Sequence, residues 1–339
     1  MNPVLRAVLL WLSIGVLFAG AACGLLYWHF LAWADAPIHS PREVRIVISP
    51  GQSLSKVADA LAQNDYLPQK RRFILLGRLT GADTRLHAGE YAFARDLTPR
   101  QLLSQLVAGD VITYDFRIIE GTTVRMLLAS LAKNQYLEHN VESVDAASLQ
   151  LELGLSVPFA EGMFFPDTYQ FVRGDSDRDL LQRAHSKMLD SITYAWQNRA
   201  PGLVLSTSDE LVILASIIEK ETGLEADRAQ ISQVFHSRLA KRMLLQTDPT
   251  VIYAVGENFD GNLTRAHLKI DSPFNTYRVR GLPPTPIATP SQASLNAAAH
   301  PAAGDYLYFV AKGDGGSQFS RTLAEHNKAV RRYQLGLTK

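Results

Sequence analysis

The 22 residues from Ala7 to Trp28, AVLLWLSIGVLFAGAACGLLYW, contain no charged side chain. A helix of about 20 such residues crosses the roughly 30 Å hydrocarbon core of a bilayer, where every backbone N–H and C=O must be paired within the segment. The stretch is therefore expected to form a membrane-spanning helix, and everything after it to fold as a separate soluble body. Trp11, Tyr27, Trp28 and Trp33 suit the two interfaces. Ala34-Asp35-Ala36 has the small-x-small form of a cleavage site, but the apolar run exceeds the roughly 7–15 residues of a signal core, which favours a retained anchor. Gly20, three before Cys23, is not the Leu of a lipoprotein signal, and one cysteine excludes an internal disulfide framework. Arg6 precedes the span while Arg42 and Arg45 follow it, so the positive charges do not orient it.

Of the 339 residues, 47% are apolar and 20% charged, ordinary values for a folded chain of about two domains. A net charge of +1 provides no basic field for nucleic acid, and no nucleic-acid partner is expected. DAPIHSPR, residues 35–42, reads as a linker. An alternating strand follows at Val44–Ile48, then a Pro-Gly turn, a Ser53 cap and a helix with apolar Leu54, Val57, Ala58 and Leu61. The unit recurs 70 residues later: Ile48 to Leu67 and Ile118 to Leu137 agree at seven of 20 positions, an internal duplication of strand, turn and helix. Between the copies lie a strand around Tyr91, a helix from Thr98-Pro99 to Val107 stopped at Gly109, and a further strand. The fold class is α+β, with a tail and single transmembrane helix at 1–34, the linker at 35–42, a small α+β domain at 43–115 and a larger α+β domain at 116–339. In the latter, helices are expected over about Asp177–Arg199, Asp209–Thr222 and Ala229–Arg242, followed by short strands among Pro- and Gly-rich loops.

One motif carries the chemistry. Leu211 to Ile218 are apolar except Ser216, and Glu219 follows directly, in LASIIEKET. Helical spacing puts Glu219 on a face with Val212, Ala215, Ser216 and Thr222. Apolar surroundings disfavour the carboxylate anion and can hold its proton near pH 6 or above, which suits protonation of a leaving oxygen. The competing reading is a solvated Glu beside Lys220. QTDPT, residues 246–250, and SPFNTYRVRGLPP, residues 272–284, gather amides, hydroxyls, an aromatic ring and arginines of the kind that read sugars, although each loop alone could be a turn satisfying its own backbone. GxSxG, Walker, HExxH and GxGxxG motifs are absent, and no histidine pairs at a metal-ligand spacing. His185 and His236 read as core or surface residues, and KGDGGS, residues 312–317, as a hairpin turn.

Taken in order, EGMFFPDTY, LASIIEKET, VFHSRLAKRMLLQTDPTVIYA, SPFNTYRVRGLPPTPI and YLYFVAKGDG followed by LAEHNKAV closely resemble the endolytic murein transglycosylase, or YceG-like, family. The resemblance covers Ile118 onward, and the 43–115 segment, with its Gly-x-Ser-Leu helix start, resembles the LysM module that binds glycan backbones, the alternative being a small α+β packing domain with no ligand. Thr285 and Thr289 stand where the family is expected to favour Gly and Asn, and Ser317 where a His is expected. The resemblance implies an inner-membrane, single-pass enzyme with its catalytic domain in the periplasm, acting on peptidoglycan strands and coordinated with peptidoglycan synthases. It implies cleavage of the MurNAc–GlcNAc β-1,4 bond to 1,6-anhydro ends, possible termination of nascent strands, and no metal or cofactor. Glu219 takes the catalytic position. Gln246, Asp248, Asn275 and Tyr277 are the expected groove residues, with Glu161 and Glu221 as orienting carboxylates. Two alternatives stay open: a lysozyme-like hydrolase that recruits Glu161, Asp167 or Asp248, and a non-catalytic glycan-binding scaffold.

Overall fold

A computed structural model describes residues 3–335. The chain divides into two compact units, Met1–Tyr114 with Val172–Gly174, and Asp115–Phe171 with Asp175–Lys339.

The first unit opens with helix α1 (Pro3–Ala34), which is long and apolar enough to cross a membrane by length and composition. Its apolar side chains, Trp11 and Phe18 among them, are exposed. The helix runs beyond the uncharged stretch because Phe30, Trp33 and Ala34 dock on the core of the unit, and Pro37 follows its end. Strand β1 (Val44–Ile48) buries Val44, Ile46 and Ile48 on one face and pairs antiparallel with β2 (Gly89–Phe93), Ile46 opposite Tyr91. Helices α2 (Leu54–Gln63), α3 (Lys70–Thr80) and α4 (Pro99–Ala108) supply Leu61, Phe73 and Leu102 to the same core. Thr98 and Gln101 close a capping box at the start of α4, and left-handed Gly109 ends it. Helix α3 goes unassigned in the sequence reading, because its four basic residues interrupt the apolar stripe of Phe73, Leu76 and Gly77.

The second unit contains α5 (Val124–Leu131), α6 (Ala146–Leu153) and most of the paired strands β3 (Thr113–Arg117) and β4 (Thr168–Val172), whose Thr113, Tyr114 and Val172 fall in the first. Helices α7 (Asp177–Gln197), α8 (Ser208–Glu221), α9 (Glu225–Ala240) and α10 (Asp248–Val255) follow. Then come a long irregular stretch, α11 (Gln292–Ala299), the hairpin β5 (Tyr308–Ala311) and β6 (Ser317–Ser320), and α12 (Leu323–Tyr333). The second copy of the repeat is again strand, turn and helix. Gly51 and Gly121, identical in the alignment, share a left-handed turn at φ of 74° and 73°, a conformation that favours glycine. The segment after QTDPT is a helix and not the expected strand. Pro249 at its start presets helical φ, and this outweighs the β-branched Val251, Ile252 and Val255.

Helix α8 is the centre of this unit. Every residue from Leu211 to Ile218 is at most 6% exposed, packed among Phe159, Met163, Ile192, Ile231, Phe235 and Leu295. Replacing Leu214, which is fully buried, with alanine should destabilise the protein by about 2–5 kcal/mol through lost burial and a residual cavity. Denaturant unfolding of the purified protein measures the change, and a loss under 1 kcal/mol would contradict this packing.

Candidate active site

Glu219 stands in the last turn of α8, where the buried helix reaches the edge of the core, and its side chain is only 7% exposed. The sequence reading gives it Ser216 and Thr222 as polar neighbours, and the structure corrects this. The Ser216 hydroxyl donates to the Ile213 carbonyl at 2.7 Å and accepts from the Ile287 N–H at 3.0 Å, so it pins the 285–291 loop to α8. Thr222 accepts from the Leu224 N–H. The partner of Glu219 is Ser291, whose N–H and hydroxyl both donate to Oε2, at 2.8 and 2.5 Å. Ser291 is also the N-cap of α11, its oxygen accepting from the Ser294 N–H, so the carboxylate lies at the positive end of a helix. Oε1 faces the Arg228 guanidinium, with Nη2 3.9 Å away. In place of a dry wall, Glu219 meets two donors and a cation.

The loop around Gly121 completes this corner. Gly121 N–H donates to the Thr289 carbonyl and Thr289 N–H donates back to the Thr122 carbonyl, both at 2.8 Å. Lys220 Nζ donates to the Gly121 carbonyl at 3.2 Å, and a Cβ on Gly121 would lie 4.0 Å from Glu219 Cγ. Gly162 serves a similar close approach, since a Cβ there would come within 2.7 Å of the Pro286 ring.

The other expected site residues fall into two places. Glu221, Asp248 and Tyr277 form one cluster with Thr247. The Thr247 hydroxyl donates to the Glu221 carboxylate, and the Tyr277 hydroxyl donates to Asp248 Oδ1 at 2.6 Å. Burial, and secondarily the charge of Asp248, push the Glu221 carboxyl up to about 7 against the opposing hydrogen bond from Thr247. Gln246 borders this cluster with an exposed side chain and a left-handed φ of 50°, its N–H donating to the Thr276 carbonyl. Asn275, expected to meet ligand, is 0% exposed. Its amide donates to the Leu268 and Ile270 carbonyls and its oxygen accepts from the Tyr277 N–H, so it braces its own loop.

Glu161 lies elsewhere, in the wall of a cavity of about 510 Å³ formed by α5, the start of α6 and α10. Gly121 and Lys220, the neighbours of Glu219, border the same cavity. Glu161 is 4% exposed; Oε1 accepts from the Val124 N–H at 2.8 Å and Oε2 from the Tyr253 hydroxyl at 3.0 Å. Burial outweighs these bonds and pushes its carboxyl up to about 7.

Sequence reasoning misses Ser291, Arg228 and Tyr253. Ser291 carries the signal of a helix cap after Pro290, but nothing in the pattern says that its donors turn to a residue 72 positions earlier. His236 and His185 each meet a backbone carbonyl, of Ala298 and Met163, in keeping with packing roles. Among the described residues, no group of three His, Cys, Asp or Glu could hold a metal ion.

The Glu161 proton links site and stability. Folded Glu161 keeps its proton up to about 7, whereas the unfolded chain releases it near 4.5, so stability falls as pH rises between these values. Relative to a Glu161→Gln variant, the protein should lose on the order of 3 kcal/mol across that window and no more above it. Denaturant unfolding of both proteins from pH 4 to 8 measures the gap, and a gap independent of pH would contradict the burial of this carboxyl.

Comparison with known proteins agrees with the motif resemblance. The model of the YceG-like family matches residues 46–332. A Bacillus subtilis protein named endolytic murein transglycosylase is 33% identical over 311 residues, spanning 87% of this chain and 86% of its own. A Streptococcus pneumoniae protein of the same name is 24% identical over 327 residues, of which the match covers 86% of this chain and 58% of that protein. The crystal structure of a YceG-like protein from Listeria monocytogenes aligns with a TM-score of 0.51 at 29% identity, covering 85% of this chain and 99% of that one. The chain belongs to the YceG-like family.

Proposed function

We propose that this chain is an endolytic peptidoglycan lytic transglycosylase, anchored by α1 with its body in the periplasm, and that Glu219 is its catalytic residue. The observation that carries the reading is the setting of Glu219: at the edge of a rigid core, one oxygen is fixed by both donors of Ser291, while the other faces the Arg228 guanidinium 3.9 Å away. A carboxyl held at one oxygen presents the other in a defined direction, which general acid catalysis requires.

Protonated Glu219 donates from Oε1 to the oxygen joining MurNAc C1 to GlcNAc C4. The C1–O bond breaks, the GlcNAc leaves with a C4 hydroxyl, and positive charge develops at C1. The C6 hydroxyl of the same MurNAc attacks C1, and its proton passes to the Glu219 carboxylate, which restores the acid. No water is consumed, and the MurNAc ends as the 1,6-anhydro sugar. Because the nucleophile belongs to the substrate, one carboxylate serves both steps, unlike the paired carboxylates of most glycoside hydrolases. Two of the carboxylates that a hydrolase could recruit are engaged elsewhere: Asp167 pairs with Lys187, and Asp248 holds Tyr277.

Around this centre, Asp248, Tyr277, Gln246 and Glu221 form one side of the glycan groove, and residues 43–115 add a LysM-like contact to the strand. Cutting nascent strands next to the peptidoglycan synthases would end their growth.

Glu219→Gln should lower the rate of cleavage of purified sacculi by about 10³-fold or more while the protein stays folded. Mass spectrometry of the products distinguishes the chemistry, because hydrolysis leaves reducing ends one water heavier than anhydro ends. Full activity of the variant, or only hydrated ends from the unmodified protein, would overturn the proposal.

A further inference from the structure

We propose that α3 is a membrane-contact helix, whose outward face lies on the anionic phospholipid headgroups of the bilayer that α1 crosses. The proposal rests on reading α1 as a retained anchor.

The end of α1 is built into the first unit, and this sets the geometry. Phe30 and Trp33 pack on the core, Ala34 is 0% exposed, and Asp35 pairs with Arg100 at 2.6 Å. The uncharged stretch ends at Trp28, and Trp33 lies five residues farther along the same helix. At about 1.5 Å per residue this is roughly 7.5 Å, and the headgroup layer beyond the hydrocarbon is about 5–7 Å deep on each side. Trp33 thus stands at the headgroups, a level that suits its ring. The Arg72 guanidinium of α3 sits over that ring, 5.9 Å from its centre, so α3 shares the same level.

Helix α3 is two-sided. Phe73, Leu76 and Gly77 enter the core, and a Cβ on Gly77 would come within 2.0 Å of the Leu54 side chain, so this face is pressed tightly onto α2. The opposite face, at spacings of three and four, carries Arg71, Arg72, Leu75, Arg78 and Leu79. All five are exposed, Leu75 at 47% and Leu79 at 64%. The helix contains no acidic residue, and Lys70 at its start is paired with Asp59 at 2.6 Å. Among the described residues, no carboxylate forms an ion pair with Arg71, Arg72 or Arg78.

Charge and position select the occupant. Guanidinium groups bind phosphate through paired hydrogen bonds, and leucines between them reach the upper acyl carbons, the arrangement of a helix lying in a bilayer surface. An acidic protein would have to approach through the space that the headgroups already fill.

The test uses the full-length protein with Cys23→Ser and Leu79→Cys, a nitroxide on the new thiol, in vesicles of phosphatidylcholine and phosphatidylglycerol in equal parts. A docked face opens the label to lipid-dissolved oxygen and shields it from a water-soluble nickel chelate. Each arginine beside an anionic surface contributes about fivefold to such contact, so Arg71→Glu with Arg78→Glu should lower the ratio of docked to free label at least about 25-fold. Both positions are exposed, and Arg71→Gln with Arg78→Gln serves should the reversed pair fail to fold. Arg71→Lys with Arg78→Lys keeps the charge and should keep the shielding. Equal nickel access with and without the charge change would overturn the docking. An alkaline wash separates the two readings: protein that resists the wash yet shows equal access keeps its anchor and loses the docked face, whereas release by the wash removes both.

Discussion

Helix α8 has no solvent face between Leu211 and Ile218, and the larger unit is built around that constraint. A helix apolar all round has to be enclosed on every side, and α7, α9 and α11 contribute the side chains that enclose it. The enclosure ends where the apolar run ends, and Glu219 is the first residue beyond it. The carboxylate therefore inherits the rigidity of the core while standing at its boundary. A position on a mobile loop would lack that precision, because a functional group is held best by an element whose own packing is complete.

The loops facing α8 are irregular in backbone yet tied at many points. Ser216 holds Ile287, Thr289 and the Gly121–Thr122 turn exchange two backbone bonds, and Thr276 joins the 246–250 segment through its carbonyl and hydroxyl. Asn275 adds three bonds inside its own loop. Long connections without regular structure gain order in this way, through polar groups that replace the missing ladder. The Pro-rich composition of 272–291 is the sequence trace of this arrangement.

Local physics made much of the fold legible. Strand β1, helix α4 with its Pro start and Gly stop, helices α7 and α8 and the β5–β6 hairpin follow from periodicity and turn chemistry. The duplicated strand-turn-helix follows from identity at spaced positions. Where β-branched residues met a Pro-initiated turn, as at α10, the helix-start signal outweighed strand propensity. At the site, the position of Glu219 at the edge of an apolar helix was readable, but its surroundings were not. Ser291 reaches it from 72 residues away and Arg228 from the next helix, and neither spacing leaves a periodic mark. Asn275 misled because a polar side chain in a loop looks the same in sequence whether it serves a ligand or its own backbone.

The two-way backbone exchange between Thr289 and the Gly121–Thr122 turn joins segments separated by more than 160 residues. Contacts of such long range form late, after the entropy of closing the intervening loop has been met. The Ser291 donors that orient Glu219 belong to the same late segment. A chain synthesised from its N-terminus thus presents the residues of α8 well before the groups that both cover the helix and aim its carboxylate. An interrupted or truncated chain ending before residue 289 would carry Glu219 without the Ser291 donors that fix its Oε2.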